Sequence, residues 1–254
     1  MLRVPLDPAL IVGFVLALVR ASAWLVVAPP FSSPSIPAMA KVGIALGLAI
    51  GAAPSLAPLA ARLSWAAIGA EAVLQAASGL ALGLVVAVLF SAIEAAGNLI
   101  GLMGGFSIPS ALDPLSASQT SPIGQLYSLI ALTLMFTSNA YLLVARGFLS
   151  SFGAGFSLAN SGGLAGLLVS ELASFFTSAV EIAAPICAVL FAAQMVLGIL
   201  AKAIPQMNIF TFSFSFQILA ALVLLVVGLG ALPGWLADII VRALGGAHNW
   251  LVGG

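Results

Sequence analysis

Histidine and cysteine occur once each, as His248 and Cys187, and this limits the chemistry open to the chain. One cysteine cannot close an internal disulfide, and one imidazole with one thiol falls short of the ligand sets that hold zinc. Cys187 lies in an apolar run, where a small thiol packs as a hydrophobe. No H-E-x-x-H, C-x-x-C, G-x-S-x-G or phosphate-binding loop pattern is present. Gly228-Leu-Gly230 lacks the third glycine and the strand-to-helix setting of a dinucleotide site, and reads as a frayed helix end. With no nucleophile set beside a base, the sequence predicts no enzyme, no cofactor and no metal.

Charge is equally scarce. Seven basic and seven acidic residues give a formal net charge of zero, and no basic cluster offers a surface for nucleic acid. Hydrophobic residues make up 63% of the chain and charged ones 6%, with a mean hydropathy of +1.26. Soluble domains carry roughly a quarter charged residues and under half apolar ones, so this composition predicts an integral membrane protein. Arg3 before an apolar run and Ala21-Ser-Ala23 imitate a secretory leader. However, Asp7, Pro8 and Arg20 interrupt that pattern, and a retained first membrane helix fits better.

The predicted architecture is all-α and polytopic, one membrane domain over 1–254, with about six hydrophobic elements in long, kinked helical hairpins. Residues 9–28 match the ~20 needed to cross hydrocarbon, and Pro29-Pro30 ends them. A second run, 42–59, is interrupted by Pro54 and carries Gly43, Gly47 and Gly51 at every fourth position, on one helix face where another backbone can press close. Residues 62–70 form a polar turn with Trp65 at an interface, and 72–103 are too long for one straight span. Residues 123–144 are another span, containing Asn139, and 150–163 a loop or an amphipathic hairpin turn. A second overlong run, 164–200, is expected to break in two at Ala184-Pro185, because proline removes a helix hydrogen bond. Residues 209–230 are the last strong span, closed by Pro233-Gly234, and an amphipathic tail follows from Trp235. Basic residues are spread evenly, so the positive-inside rule does not orient the chain.

The stretch 95–122 breaks this apolar pattern. Gly97, Gly101, Gly104 and Gly105 let a helix approach its neighbours and then end, near Gly105. Beyond it, Pro109, Pro114 and Pro122 forbid regular helix, while Ser107, Ser110, Asp113, Ser116 and Gln119 bring polar groups that hydrocarbon cannot satisfy. The segment therefore belongs in water, in protein or in an aqueous passage. Glu94 and Asn98, four residues apart, share a face that must likewise meet protein or water. Glu94 reads as a bonded carboxylate inside an assembly, or as an ion or proton site.

Several separated pieces resemble one family, the export-gate proteins of flagellar and virulence type III secretion called FliR or SctT. The pieces are Arg20 with Ala28-Pro29; Pro37 with Lys41-Val-Gly43; Glu94, Gly97 and Gly101-Leu-Met-Gly-Gly-Phe-Ser107 leading to Asp113-Pro114; and Gly198, Lys202 and Pro205-Gln-Met-Asn-Ile-Phe210. Met103 stands where relatives often have glutamine, and Pro109 is an extra proline. The resemblance implies FliP-like helical hairpins followed by a FliQ-like C-terminal hairpin. It implies a single copy of this chain joined to FliP-type and FliQ-type subunits, with a FlhB-type switch protein as a further partner. The localisation implied is the bacterial inner membrane, in the flagellar basal body, and the cargo is unfolded protein. Phe106, Ser107, Ile108, Pro109, Ser110, Asp113, Pro114, Ser116 and Gln119 would belong to a loop that plugs the channel. Gly43, Gly47, Gly51, Gly97, Gly101 and Gly105 would pack helices, while Glu94, Asn98, Lys202, Pro205, Gln206 and Asn208 would meet partners or the gate. The competing class is a secondary ion-coupled transporter using Glu94 or Glu181 at broken helices, which should show paired repeats that this sequence lacks. A purely structural membrane scaffold is the third reading.

Overall fold

A computed structural model describes residues 7–29, 31–33, 36–106, 121–153, 161–203 and 209–252. Among the described residues there are eight α-helices, one 3₁₀ turn and no strand, as the all-α expectation requires. They are α1 (Pro8–Val27), α2 (Ala38–Ala60), α3 (Trp65–Met103), α4 (Pro122–Thr137), α5 (Ala140–Ser150), α6 (Ser161–Ala203), α7 (Ile209–Leu229) and α8 (Leu232–Val252). The 3₁₀ turn Ser151–Gly153 follows α5. Among the described residues, five helices are long and apolar enough to cross a membrane, or six if α4 and α5 make one broken span. The chain forms two compact units: Met1–Val88, Asn139–Glu171 and Ile240–Gly254 make the first, and Leu89–Ser138 with Leu172–Ile239 the second.

The first unit is built on α1. Asp7 caps its start, accepting a hydrogen bond from the Ala9 amide at 3.0 Å, and Pro8 fills the first turn, where its missing N–H costs nothing. α2 returns against α1 as a hairpin. Its buried stripe is Ala45, Ala49, Ala52, Ala53 and Leu56, so the two backbones lie close; a Cβ on Gly13 would stand 2.9 Å from the Ala53 carbonyl. Gly43, Gly47 and Gly51 face the other way, and a Cβ on any of them meets nothing of this chain within 4 Å. Both stripes are small and both recur at helical spacing; the alanine stripe, which continues into Leu56, is the one that is buried.

The first half of α3 also packs closely on α1. A Cβ on Gly79 would overlap the Arg20 carbonyl, and one on Gly83 would stand 3.0 Å from the Trp24 carbonyl. An aromatic cluster completes this unit. Trp24 stacks on Phe148 at 4.5 Å, Phe31 lies 5.4 Å from Trp24, and Phe152 meets Phe148 edge-on at 5.2 Å.

Four expectations are corrected. α6 is a continuous 43-residue helix with Pro185 inside it, and α2 likewise continues through Pro54 and Pro58. Each proline forfeits one backbone bond, which a long apolar helix survives when its other bonds have no water to compete for them. The expected span 123–144 instead breaks at Ser138–Asn139, where Asn139 takes the left-handed φ of 56° that asparagine tolerates better than most residues. Pro233 opens α8 rather than closing α7. The overlong run is confirmed: at 39 residues, α3 is about 58 Å long. That is nearly twice the hydrocarbon thickness.

Gly79→Val places a branched side chain where α1 backbone already lies, and should destabilise the full chain by about 1–3 kcal/mol. Gly47→Ala, on the open face, should be neutral or stabilising by up to about 1 kcal/mol. Thermal unfolding of the two variants in detergent checks both; equal melting temperatures would contradict the α1–α3 contact.

Candidate functional site: the roots of the polar segment

In the second unit, α3 ends as the glycines predict. Gly105 has φ +82°, its N–H donates to the Leu102 carbonyl at 3.3 Å, and the Phe106 N–H donates to the Gly101 carbonyl at 2.8 Å. These two bonds are the Schellman pattern, which closes a helix with a left-handed residue just past its end. From α6, the Gln194 side-chain amide donates to the Met103 carbonyl at 3.0 Å, satisfying another of the last carbonyls. The chain thus leaves α3 in a defined direction at Phe106.

The return is equally fixed. Ser121 caps α4, its hydroxyl accepting from the Gly124 amide at 3.0 Å, with Pro122 in the first turn. Its own N–H and hydroxyl both donate to Asn98 Oδ1, each at 2.9 Å. This asparagine on α3 therefore holds the start of α4 through two bonds to one buried residue.

Glycines make the approach possible. A Cβ on Gly97 would stand 2.8 Å from Gly124 Cα, one on Gly101 2.6 Å from Ser121 Oγ, and one on Gly124 would overlap the Asn98 amide. Tyr127, fully buried one turn further along α4, packs against Gly97.

Of the residues singled out from sequence, Gly97, Asn98, Gly101, Gly105 and Phe106 come together here. Gly105 acts through its φ more than through packing, and Gly101 presses on Ser121 of its own chain. Glu94 lies a turn before Asn98, half-buried and with an interaction of its own. Lys202 is exposed in the last turn of α6. Ser107, Ile108, Pro109, Ser110, Asp113, Pro114, Ser116, Gln119, Pro205, Gln206 and Asn208 lie outside the described residues. Sequence reasoning missed Ser121, Gly124 and Gln194. Ser121-Pro122 before an apolar run is a readable helix-start signal. Gln194 had no signal beyond being polar in an apolar run.

A family model described as bacterial export proteins, family 1, matches residues 11–243. The chain belongs to this family. The bacterial export proteins it resembles include the flagellar biosynthetic protein FliR of Bacillus subtilis, 29% identical over 220 residues that cover 85% of each chain. FliR of Escherichia coli is 29% identical over 202 residues, 78% of this chain and 76% of its own. The Yop proteins translocation protein T of Yersinia pestis is 29% identical over 164 residues, 63% of this chain and 61% of its own. The match runs through α3 and both roots of the polar segment, so this bacterial export protein carries the site within the part its family shares.

Removing the acceptor in Asn98→Ala leaves a buried N–H and hydroxyl without their partner and should cost about 1–3 kcal/mol. Limited proteolysis should then cut faster near Ser121, while the exposed-site control Leu99→Ala cuts at the parental rate. Identical cleavage in both variants would show that the asparagine does not hold α4.

Proposed function

We propose that this chain is a component of the flagellar or type III secretion export gate, in which the segment 106–121 plugs a protein-conducting channel. The observation that carries the reading is the double anchorage of that segment. It leaves through the Schellman turn at Phe106 and returns through the Asn98–Ser121 bonds, both on the same end of α3. A stretch of 14 residues, 107–120, between two such roots can reach out roughly 24 Å and come back. Its prolines, serines and Asp113 suit a wet passage and not lipid.

The outer helices support an assembly. Only 11% of the apolar window in α7 is buried within the chain, and Leu219, Val223, Val226 and Val227 stand exposed. The glycine stripe of α2 is open too. On this reading those surfaces meet FliP-type and FliQ-type subunits in the bacterial inner membrane, at the flagellar basal body in a flagellar system, with one copy of this chain per gate. A FlhB-type switch protein and the unfolded export substrates complete the partners. The N-terminal hairpins take the FliP-like role and the C-terminal helices the FliQ-like role. Gating is steric: substrate displaces the plug, and energy is supplied by other components.

Replacing 107–120 by a short glycine-serine linker should leave the complex assembled and make membranes leaky to small solutes. Assembly is read by co-purification and leakage by solute efflux. An assembled complex with unchanged efflux would refute the plug.

A further inference from the structure

We propose that the cleft around Arg20 in the first unit binds a singly charged phosphodiester, the group a phospholipid headgroup carries. This inference stands apart from the plug and uses none of its residues. The cleft encloses ≈ 370 Å³, and Arg20, Ser55, Leu59, Arg62, Glu71 and Phe152 are among the residues lining it.

Arg20 is the anchor. It lies on α1 with 1% of its surface exposed, which for a guanidinium in a membrane protein demands compensation. The compensation present is partial. Nη1 donates to Gln75 Oε1 at a long 3.4 Å, and the Phe152 ring covers the guanidinium face at 4.6 Å. Nε and Nη2 have no partner among the described residues. A ring over the face leaves the N–H groups in the guanidinium plane unused, and Nε with Nη2 forms the edge that grips two oxygens of one oxyanion. Gln75 is neutral and supplies no counter-charge, and its own amide donates to Glu71 Oε1 at 2.8 Å.

The charge of the cleft selects the ligand. Arg20 and Arg62 against Glu71 leave one net positive charge, which suits a monoanion, and Ser55 adds a hydroxyl donor. Three features point to a lipid source. Leu56, Pro58 and Leu59 give the cleft an apolar wall. Arg62 sits in the turn between α2 and α3. Trp65, 88% exposed, begins α3 just beyond, and such aromatics mark the headgroup level where lipid phosphates lie.

The test titrates the purified full chain with dioctanoyl-phosphatidylglycerol, and in parallel with inorganic phosphate and acetate, reading bound ligand by native mass spectrometry. Saturable binding of the lipid, weakened at least tenfold in both Arg20→Gln and Arg62→Gln, is the expected result. Arg62 is exposed, so its variant remains informative even where Arg20→Gln fails to fold. Inorganic phosphate binding alone, with the same losses, would overturn the phosphodiester assignment and leave a free-anion site. Lipid binding that ignores Arg62→Gln, no binding at all, or acetate taken as readily as the phosphodiester would overturn the proposal.

Discussion

Two helix backbones touch only where side chains are absent, and α3 meets that constraint twice along its length. Gly79 and Gly83 seat its first half on the Arg20 and Trp24 carbonyls of α1. Gly97 and Gly101 seat its second half on the start of α4. The helix is 39 residues long and contributes residues to both compact units. With no water to compensate lost packing, such close van der Waals contacts and the few buried hydrogen bonds carry the specificity of the fold. The polar residues follow the same logic. Asn98 and Gln194 each spend their hydrogen bonds on backbone or cap groups at the two roots of the polar segment.

Much of this was legible from residues alone. Composition gave the membrane class, and the glycines before Phe106 gave the end of α3, because left-handed φ is cheap only for glycine. What was not legible depends on which face turns inward. Gly43, Gly47 and Gly51 share the helical spacing of the alanine stripe behind them, and nothing local says which stripe its own chain uses. Pro185 inside α6 misled for a different reason: propensity measured in water overstates the damage a proline does in an apolar setting. Asn139 was read as a polar residue within a span, whereas its tolerance of positive φ ends one helix and starts another. Arg20 enters the sequence reading as a break in an apolar run and as part of a resemblance, and its burial is not legible there, since its surroundings come from α1, α3 and the turn after α5, which are far apart in sequence.

The surface left open is as informative as the core. α6 and α7 have 28% and 11% of their apolar windows buried within the chain. Helices of this kind rest either in lipid or against other apolar helices, and the length of α3 and α6 exceeds what hydrocarbon alone would cover. Under the proposed gate, sister subunits take that surface, and α3 holds the plug at a fixed point while its neighbours close around it.

The most direct test is the mass of what surrounds the chain when it is extracted gently from membranes carrying all the export genes. The account predicts a hetero-oligomer containing one copy of this chain with several copies of smaller apolar subunits. A stable monomer or small homo-oligomer, with its outer helices covered by lipid alone, would contradict it.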